Sequence, residues 1–334
     1  MTNSKMFWQR GPLAATLTLA VATAPIMPTA VHAEEKAYTV SAGSISGSWF
    51  AIMTTMFELY RNNIDDLTYT TIPGGSVANP ISLSSGQSQF AMSYSTNLFA
   101  AARGDEPYEG QLDNIRAIAN TGLSAYMHVY FDKSLGIEEL GDIAERQIPL
   151  KIDTGPRGSG GELAAGRMLA AHGASYEDIQ AWGGSITYSP YREAMDRVND
   201  KQIDGFANDD LPGAPLFAEF AGKDDITIYS QSEEAIALME SEYGYIPGVI
   251  PAGTYEGQDQ DIMTTYQTPL FVTTADMDEE VVYQMTKLMF EKTDELIAGH
   301  NAFTALDVNK APFGLTVPLH PGAERYYREI GVLE

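Results

Sequence analysis

The chain has 334 residues, of which 44% are hydrophobic, so we expect one large or two medium-sized domains with a substantial core. It contains no cysteine, which excludes disulfides, thiolate chemistry and cysteine-based metal sites. Its 45 acidic residues outnumber the 20 basic ones, and the formal net charge of −25 argues against nucleic acid and anionic lipid surfaces as partners.

Residues 1–33 have the pattern of a secretory signal peptide. Lys5 and Arg10 form a basic start, an apolar stretch rich in Ala, Leu and Val follows, and Val31 and Ala33 occupy the positions that a signal peptidase reads. The apolar stretch is short and interrupted by proline, which disfavours a membrane span. We therefore expect a periplasmic protein that is cleaved after Ala33, with no stable membrane insertion of the mature chain; the alternative is a retained N-terminal anchor.

The first third of the mature chain predicts three strands, each followed by a turn of small residues and a helix N-terminus. The strands are expected at residues 36–42, 67–72 and 90–93. Apolar residues at helical spacing predict a helix over 49–61. The first two strands and this helix form a βαβ unit, which implies a parallel strand pair.

Hydroxyl side chains follow the carboxyl ends of these predicted strands. Each one alone is typical of a helix N-cap, as is Asn79 before Pro80. Because ligands of open α/β sheets bind beyond the carboxyl ends of the strands, we expect the hydroxyls to converge on one site. They are Ser44, Ser48, Ser76, Ser95 and Thr96.

Residues 152–162 predict a strand end, a glycine-rich turn and the start of a helix. Ser159 is the expected N-cap, Glu162 completes a capping box, and the helix is expected to end at Gly173. Free N–H groups at such a helix N-terminus suit an anionic group, and Arg157 in the turn would add a carboxylate contact. The alternative is a turn that only needs positive φ angles. No lysine follows the glycines, which argues against a nucleotide-phosphate loop.

Two weakly polar stretches, near residues 117–131 and 267–273, enclose a second set of α/β elements. Two α/β lobes joined by two crossing strands would give this order. We expect residues 34–126 and 274–334 to form the first lobe and residues 127–273 to form the second.

Two elements follow in the C-terminal part of the chain. The Tyr-rich run at 243–255 contains two prolines and predicts a long irregular loop. Residues 277–299 predict one long helix that starts at Asp276 or Asp278.

Residues that carry enzyme chemistry are sparse. No histidines have zinc-ligand spacing, GxSxG is absent, and no nucleophile–base pair stands out, so we expect no metal, no cofactor and no enzyme activity. The acidic residues of the pairs Asp209/Asp210 and Asp259/Asp261 are interpreted as solvated loop charge, whereas Asn208 ends a predicted strand.

Seven motifs occur in a fixed order along the chain: Gly43-Ser-Ile-Ser-Gly47, Pro73-Gly-Gly-Ser-Val77 with Asn79, Leu83 with Gly86, Gly155-x-x-Gly-Ser-Gly160 with Glu162, Gln202-Ile-Asp-Gly-Phe206, Ile250-Pro-Ala-Gly-Thr-Tyr255, and Pro318-Leu-His-Pro-Gly-Ala-Glu-Arg-Tyr-Tyr-Arg-Glu329. In this order they resemble the TAXI family of solute receptors, which serve tripartite ATP-independent periplasmic (TRAP) transporters. The resemblance covers essentially the whole mature chain. We expect the last motif on the surface, where it would serve either packing or docking to the transporter.

The resemblance implies an α/β, two-lobed periplasmic-binding-protein-like fold of class II, with two hinge-crossing strands and a ligand cleft between the lobes. It implies a small carboxylate ligand of the amino acid or dicarboxylate type, and TRAP membrane subunits as partners. The sequence departs from the family at Ala78, where Glu is usual, near Gln89, where an acidic residue is usual, and at Trp49 and Phe50, where Tyr is common. Ligand identity is therefore not carried over.

We expect an extracytoplasmic solute receptor that delivers a small carboxylate to a TRAP transporter. An ABC-transporter-type receptor of the same fold is the first alternative, and an enzyme on this fold, such as a transferase, is the second. The carboxylate would lie on N–H groups and hydroxyls, with Trp49 and Tyr126 as an apolar wall and Asn208 supplying an amide. The expected ligand-binding residues are Ser44, Ser48, Trp49, Ser76, Ser95, Thr96, Tyr126, Arg157, Gly158, Ser159 and Asn208.

Overall fold

The computed structural model describes residues 36–43, 45 and 48–334. The expected signal peptide and Ser44 lie outside the described residues. No helix in the described part of the chain has the length and apolar character that a membrane crossing requires.

The first sheet has five strands: β1 (Lys36–Ser41), β2 (Leu67–Ile72), β3 (Phe90–Tyr94), β4 (Ile115–Asn120) and β12 (Pro269–Thr274). Their spatial order is β2-β1-β3-β12-β4. Strand β1 pairs in parallel with β2 and β3, and β12 runs antiparallel between β3 and β4. The predicted parallel βαβ unit is therefore confirmed.

Six helices accompany this sheet: α1 (Ser48–Asn63), α2 (Ala78–Ser84), α3 (Ser95–Arg103), α10 (Glu279–Glu291), α11 (Thr293–Gly299) and α12 (Pro321–Glu329). Helix α1 buries the apolar residues that the sequence places at helical spacing, among them Ile52, Met56 and Tyr60. Its Phe57 packs against Phe90 of β3, with ring centroids 5.3 Å apart. This aromatic contact fixes α1 against the sheet.

The second sheet has seven strands: β5 (Ala125–Asp132), β6 (Lys151–Asp153), β7 (Ser185–Thr187), β8 (Gly205–Asp210), β9 (Ile226–Ile228), β10 (Ile246–Ile250) and β11 (Ile262–Gln267). Their order is β10-β11-β5-β8-β6-β7, and β9 also pairs with β5. Strands β6, β7 and β8 are mutually parallel. The carboxyl ends of β6 and β8 therefore meet at one edge of the sheet.

Six helices accompany the second sheet: α4 (Asp142–Glu145), α5 (Gly160–Ala171), α6 (Tyr176–Ala181), α7 (Tyr191–Asn199), α8 (Pro215–Ala221) and α9 (Glu233–Tyr243). Strand β8 starts with Gly205 because a Cβ at this position would lie 2.2 Å from the ring of Phe131. Helix α5 buries Ala164, Ala165, Met168 and Leu169 against this lobe's core.

The chain changes sheets twice, between β4 and β5 and between β11 and β12. The first connection is residues 121–124, and the second is the single residue Thr268. The two crossings agree with the expected two-lobed architecture. We propose that the lobes divide at these connections, which lie a few residues before the limits expected from the sequence.

Two expectations for the C-terminal part are wrong. Residues 243–255 do not form a long loop, because β10 lies within them and pairs antiparallel with β11. Pro247 is tolerated there because β10 pairs on one side only and is an edge strand. The long helix is divided at Lys292, where φ is −117° and ψ is 30°, although its start beside the N-cap Asp278 is confirmed.

The C-terminal motif is largely a packing element. Tyr326 and Tyr327 of α12 are buried, and the Tyr327 hydroxyl donates a 3.0 Å hydrogen bond to the carbonyl of Ile118 in β4. Gly322 lies so close to α10 that a Cβ on it would be 2.2 Å from the carbonyl oxygen of Glu279. On the exposed side of this motif, Arg325 pairs with two carboxylates of α10.

Candidate functional site: a cleft between the lobes

A cleft of about 1020 Å³ lies between the two lobes. The first lobe lines it with the turns after β1 and β2 and with Tyr94 at the end of β3. The second lobe lines it with the turn at 156–161 and with the end of β8. The crossing at 122–125 and the segment 300–305 complete the walls. Strand ends and helix N-termini of both sheets thus line one space, which is where open α/β sheets in general bind their ligands.

The turn before α5 presents a helix N-terminus to the cleft. Ser159 is the N-cap, and its hydroxyl accepts a 3.2 Å hydrogen bond from the N–H of Glu162. The predicted capping box is only half correct, because the Glu162 carboxylate accepts instead from the N–H of Gly158, at 3.1 Å. Among the described residues, the N–H groups of Gly160 and Gly161 have no acceptor. Both residues line the cleft, so two free donors and the positive end of the helix dipole lie in its wall.

The glycines of this turn have two different functions. Gly155 and Gly158 have φ angles of 79° and 75°, which favour glycine. The alternative interpretation of the sequence, a turn that needs positive φ angles, therefore applies to these two residues. Gly160 and Gly161 are required instead by close neighbours. A Cβ on Gly160 would lie 2.6 Å from the ring of Tyr94 in the other lobe. A Cβ on Gly161 would lie 2.1 Å from the amide oxygen of Asn208.

The first-lobe wall contains Ser48, Trp49 and Ser76. Ser76 is only 7% exposed, and a Cβ on Gly160 would lie 2.7 Å from its hydroxyl oxygen, so Ser76 faces the N-terminus of α5 across the cleft. The indole of Trp49 contacts Tyr94 edge to face, with ring centroids 4.9 Å apart. Serine hydroxyls and an aromatic face are thereby combined on one wall.

Asn79 positions this wall in a way that the sequence did not predict. It lies inside α2 rather than at its cap, and its side chain bonds four backbone groups, one of which is the carbonyl of Ser41 at 3.3 Å. Its amide donates to the carbonyls of Ala42 and Met92 at 2.8 and 2.7 Å, and its oxygen accepts from the N–H of Gly75 at 3.0 Å. These bonds tie the turns after β1 and β2 to β3.

Four of the expected ligand-binding residues do not line the cleft. Ser95 and Thr96 are buried beneath it, where the Ser95 hydroxyl accepts from the N–H of Thr268 and the Thr96 hydroxyl donates to Gln267. They do not cap α3, whose N-cap is Tyr94. Their bonds fasten α3 to the second crossing of the chain.

The other two are Tyr126 and Asn208. Tyr126 stacks on Tyr266 with ring centroids 4.7 Å apart, since both lie on paired strands. Asn208 is fully buried, with its amide donating to the carbonyl of Thr154 at 2.7 Å and its oxygen accepting from the hydroxyl of Tyr191 at 2.6 Å. Asn208 therefore holds the turn beneath the cleft rather than reaching into it.

Arg157 and Gly158 do line the cleft, but Arg157 is exposed at its edge. Its guanidinium lies over the ring of Tyr188, 4.9 Å from the centroid. No salt bridge to Arg157 occurs among residues 36–43, 45 and 48–334. The stacking on Tyr188 holds the guanidinium beside the opening.

Asp209 and Asp210 are not solvated loop charge, and this interpretation is wrong. They are the last two residues of β8, they line the cleft, and Asp209 is only 6% exposed. Burial raises the pKa of Asp209 from 3.8 to about 7; the hydrogen bond from Gln267 lowers it, and the charge of Asp210 raises it further. Burial also raises the pKa of Asp210. The sequence hides this because polar residues after Asn208 give no sign that the strand continues.

Sequence reasoning also missed Tyr94, Tyr191 and His300 as cleft residues. Burial raises the pKa of Tyr94 and Tyr191 well above 10.0, so their hydroxyls stay protonated. His300 closes one side, and its Nδ1 accepts a 3.2 Å bond from the N–H of Ala302. Only Tyr94 could have been found from the sequence. It directly precedes Ser95, the predicted helix cap, and therefore had to lie at the end of a strand, where ligands bind.

Several solved proteins are similar in structure to this chain. XAC2383 from Xanthomonas citri bound to ATP is similar in fold, with 11% identity and a TM-score of 0.50, covering 89% of this chain and 97% of that chain. MatC (Rpa3494) from Rhodopseudomonas palustris with bound malate has 12% identity and a TM-score of 0.50, covering 90% and 99%. A periplasmic thiamin binding protein has 12% identity and a TM-score of 0.47, covering 89% and 94%.

At these identities the likeness concerns the fold alone. The fold is two-lobed, α/β and periplasmic-binding-protein-like, as expected, with a cleft between lobes joined by two crossings. The model of one protein family, described as the NMT1-like family, matches residues 40–331. Because this match spans far more than half of the 334 residues, the chain belongs to the NMT1-like family.

Proposed function

We propose that this protein is an extracytoplasmic solute receptor that binds a small carboxylate in the cleft between its lobes. The observation that carries the proposal is the pair of free N–H groups at Gly160 and Gly161 in the wall of the cleft, with the hydroxyl of Ser76 from the other lobe close to Gly160. Backbone N–H groups at the N-terminus of a helix of 12 residues favour an anionic group. Hydroxyls on both walls would complete the shell of hydrogen-bond donors.

Binding rather than turnover fits the chemistry of the walls. No group of three or more histidine, cysteine or acidic side chains in the described part of the chain has the arrangement of a metal site. His128 is buried away from the cleft, where burial lowers its pKa to about 4 and its Nε2 lies 2.6 Å from the hydroxyl of Tyr255. We therefore propose a receptor without a cofactor, and a search for turnover of candidate carboxylates would test that choice.

The proposed partners are the membrane subunits of a TRAP transporter. The ordered motifs that resemble the TAXI receptors support this assignment, as does a signal-like segment at residues 1–33, which supports the periplasm as the location. An ABC-type transporter remains the alternative partner. Co-purification with a membrane subunit that has no associated ATPase would support the TRAP assignment, and recovery with an ATPase would overturn it.

Ligand binding itself is tested by a thermal-shift screen with mono- and dicarboxylates and with amino acids. A ligand at 100 times its Kd stabilises the native state by about 2.7 kcal/mol, so Tm should rise by several degrees for the correct compound. Native mass spectrometry of freshly purified protein would identify a ligand retained from the cell. If phosphates or cations alone shift Tm, the carboxylate proposal fails.

We predict that Ser159→Ala lowers ligand affinity by more than its loss of stability accounts for. Loss of the N-cap hydroxyl costs about 0.5–2 kcal/mol of unfolding free energy in any case. The matched control is Ser232→Ala, because Ser232 caps α9 in the same way, accepting 3.1 Å from the N–H of Ala235, and does not line the cleft. Calorimetric titration should show weaker binding for Ser159→Ala only. Equal affinities in the two variants would identify Ser159 as a structural cap.

A further inference from the structure

The end of β8 brings two carboxylates to the cleft, and no basic side chain that the structure describes is paired with either of them. Asp209 accepts a hydrogen bond from the side-chain amide of Gln267, and Asp210 accepts a 2.7 Å bond from the N–H of Leu211. Neither carboxylate belongs to any of the ion pairs present among the described residues. A buried carboxylate without a cation is costly, and two neighbouring ones repel each other.

The remaining groups around Asp209 do not supply that cation. Tyr94 from β3, Tyr191 from α7 and Tyr245, which precedes β10, face it as neutral phenols, since burial raises the pKa of each. The basic side chains that line the cleft are Arg157 and His300. Arg157 is stacked on Tyr188, and the Nδ1 of His300 is used by the N–H of Ala302.

The acidic end lies directly beside the N-terminus of α5. A Cβ on Gly161 would be 2.6 Å from Oδ1 of Asp209, so free N–H donors and a carboxylate acceptor are neighbours on the same wall. A ligand bound there needs an anionic group for the N–H donors and a cationic group for the carboxylate, only a few bonds apart. An α-amino acid satisfies both, because its carboxylate and its ammonium are attached to one carbon.

We propose that Asp209, assisted by Asp210, is the specificity-determining residue of the cleft, receiving the protonated amine of an α-amino acid whose carboxylate lies on the N-terminus of α5. The proposal rests on the receptor function proposed above and chooses between its two ligand types. A dicarboxylate without an amine, such as glutarate, would place an anion rather than an ammonium near two unpaired carboxylates and is excluded by their repulsion.

Proton exchange accompanies this mode of binding. Because the pKa of Asp209 lies at about 7 in the empty cleft, part of the population carries a proton near neutral pH. A cationic amine favours the ionised form, so binding releases that proton and affinity rises with pH up to about 7. An anionic ligand that uses protonated Asp209 as a donor would show the opposite slope.

The test uses pairs of compounds that differ only in the α-amino group: L-glutamate and glutarate, L-leucine and 4-methylpentanoate, L-phenylalanine and 3-phenylpropanoate. In calorimetric titrations, at least one amino acid should bind, and its partner should bind at least about 30-fold more weakly. Affinity of that amino acid should increase by up to about tenfold per pH unit from pH 5.5 to 7, with proton release measured in buffers of different ionisation enthalpy.

Asp209→Asn should remove both the preference for the amine and the pH slope, while Asp259→Asn, in an exposed loop, should change neither. Tighter binding of the compounds without the amine, or affinity that falls as pH rises, overturns the assignment of Asp209 but leaves the carboxylate receptor intact. If no member of any pair binds while unrelated solutes do, the proposed function itself fails, and this assignment fails with it.

Discussion

Gly160→Ala should abolish tight ligand binding while leaving the protein folded. The new methyl group would lie 2.6 Å from the ring of Tyr94 and 2.7 Å from the hydroxyl of Ser76, and both belong to the other lobe. The lobes relieve the clash by moving apart, so the cost falls on the closed, ligand-bound arrangement. We expect at least about a 100-fold loss of affinity, which corresponds to about 2.7 kcal/mol. Unfolding free energy should change by no more than about 1 kcal/mol.

The matched control is Gly166→Ala in the same helix, where the nearest atoms belong to Tyr176 of the same lobe, 3.0 Å from the new Cβ. Its affinity should stay close to that of the unmodified chain. Titration of both variants with the best ligand from the screen separates the effect of a methyl group added to α5 from the effect of a clash with the other lobe. Tight binding by Gly160→Ala would mean that ligand binding does not bring Gly160 against Tyr94.

Asp209→Asn should stabilise the protein at pH 8 and leave its stability nearly unchanged at pH 4. The unfolded chain loses the Asp209 proton near 3.8, whereas the native state holds it up to about pH 7. Between these values the native state binds more protons, so stability falls as pH rises, and the full penalty is present above pH 7. Removing the charge should therefore add on the order of 2–4 kcal/mol at pH 8.

Chemical denaturation across this pH range measures the difference directly. Asp259→Asn is again the control and should give a flat difference, since its side chain is exposed. A variant Asp209→Asn that is less stable than the unmodified chain at every pH would show that the α5 N-terminus and Gln267 stabilise an ionised Asp209. That result would contradict the raised pKa.

Local patterns predicted the first lobe well because its elements depend on near neighbours. The helical spacing of Ile52, Met56 and Tyr60 is sufficient to define the buried face of α1. In the second lobe, the glycine turn and Ser159 define the start of α5 in the same local way. By contrast, β10 contains Pro247 and Gly248, and only its pairing with β11 makes it a strand. Such pairing depends on residues distant in the sequence.

The cleft was harder to predict because its residues acquire their function from the opposite lobe or from buried bonds. Asn79 has the sequence of a cap but bonds Ala42 and Met92 instead. Asp209 has the sequence of a loop but ends a buried strand. Gly160 has the sequence of a helix start, and nothing local shows that Tyr94 lies against it. These contacts connect residues far apart in the chain, which the pattern of one segment does not encode.

The two crossings of the chain, at residues 121–124 and at Thr268, have a practical consequence for spectroscopy. Because the chain crosses between the lobes at two points, we expect opening to be mainly a rotation about the line that joins them, which one distance between two probes would follow. The chain contains no cysteine, so one engineered thiol on each lobe would carry the only two labels. The distance between paired spin labels or fluorophores would then report the open and closed populations in the presence of each candidate ligand.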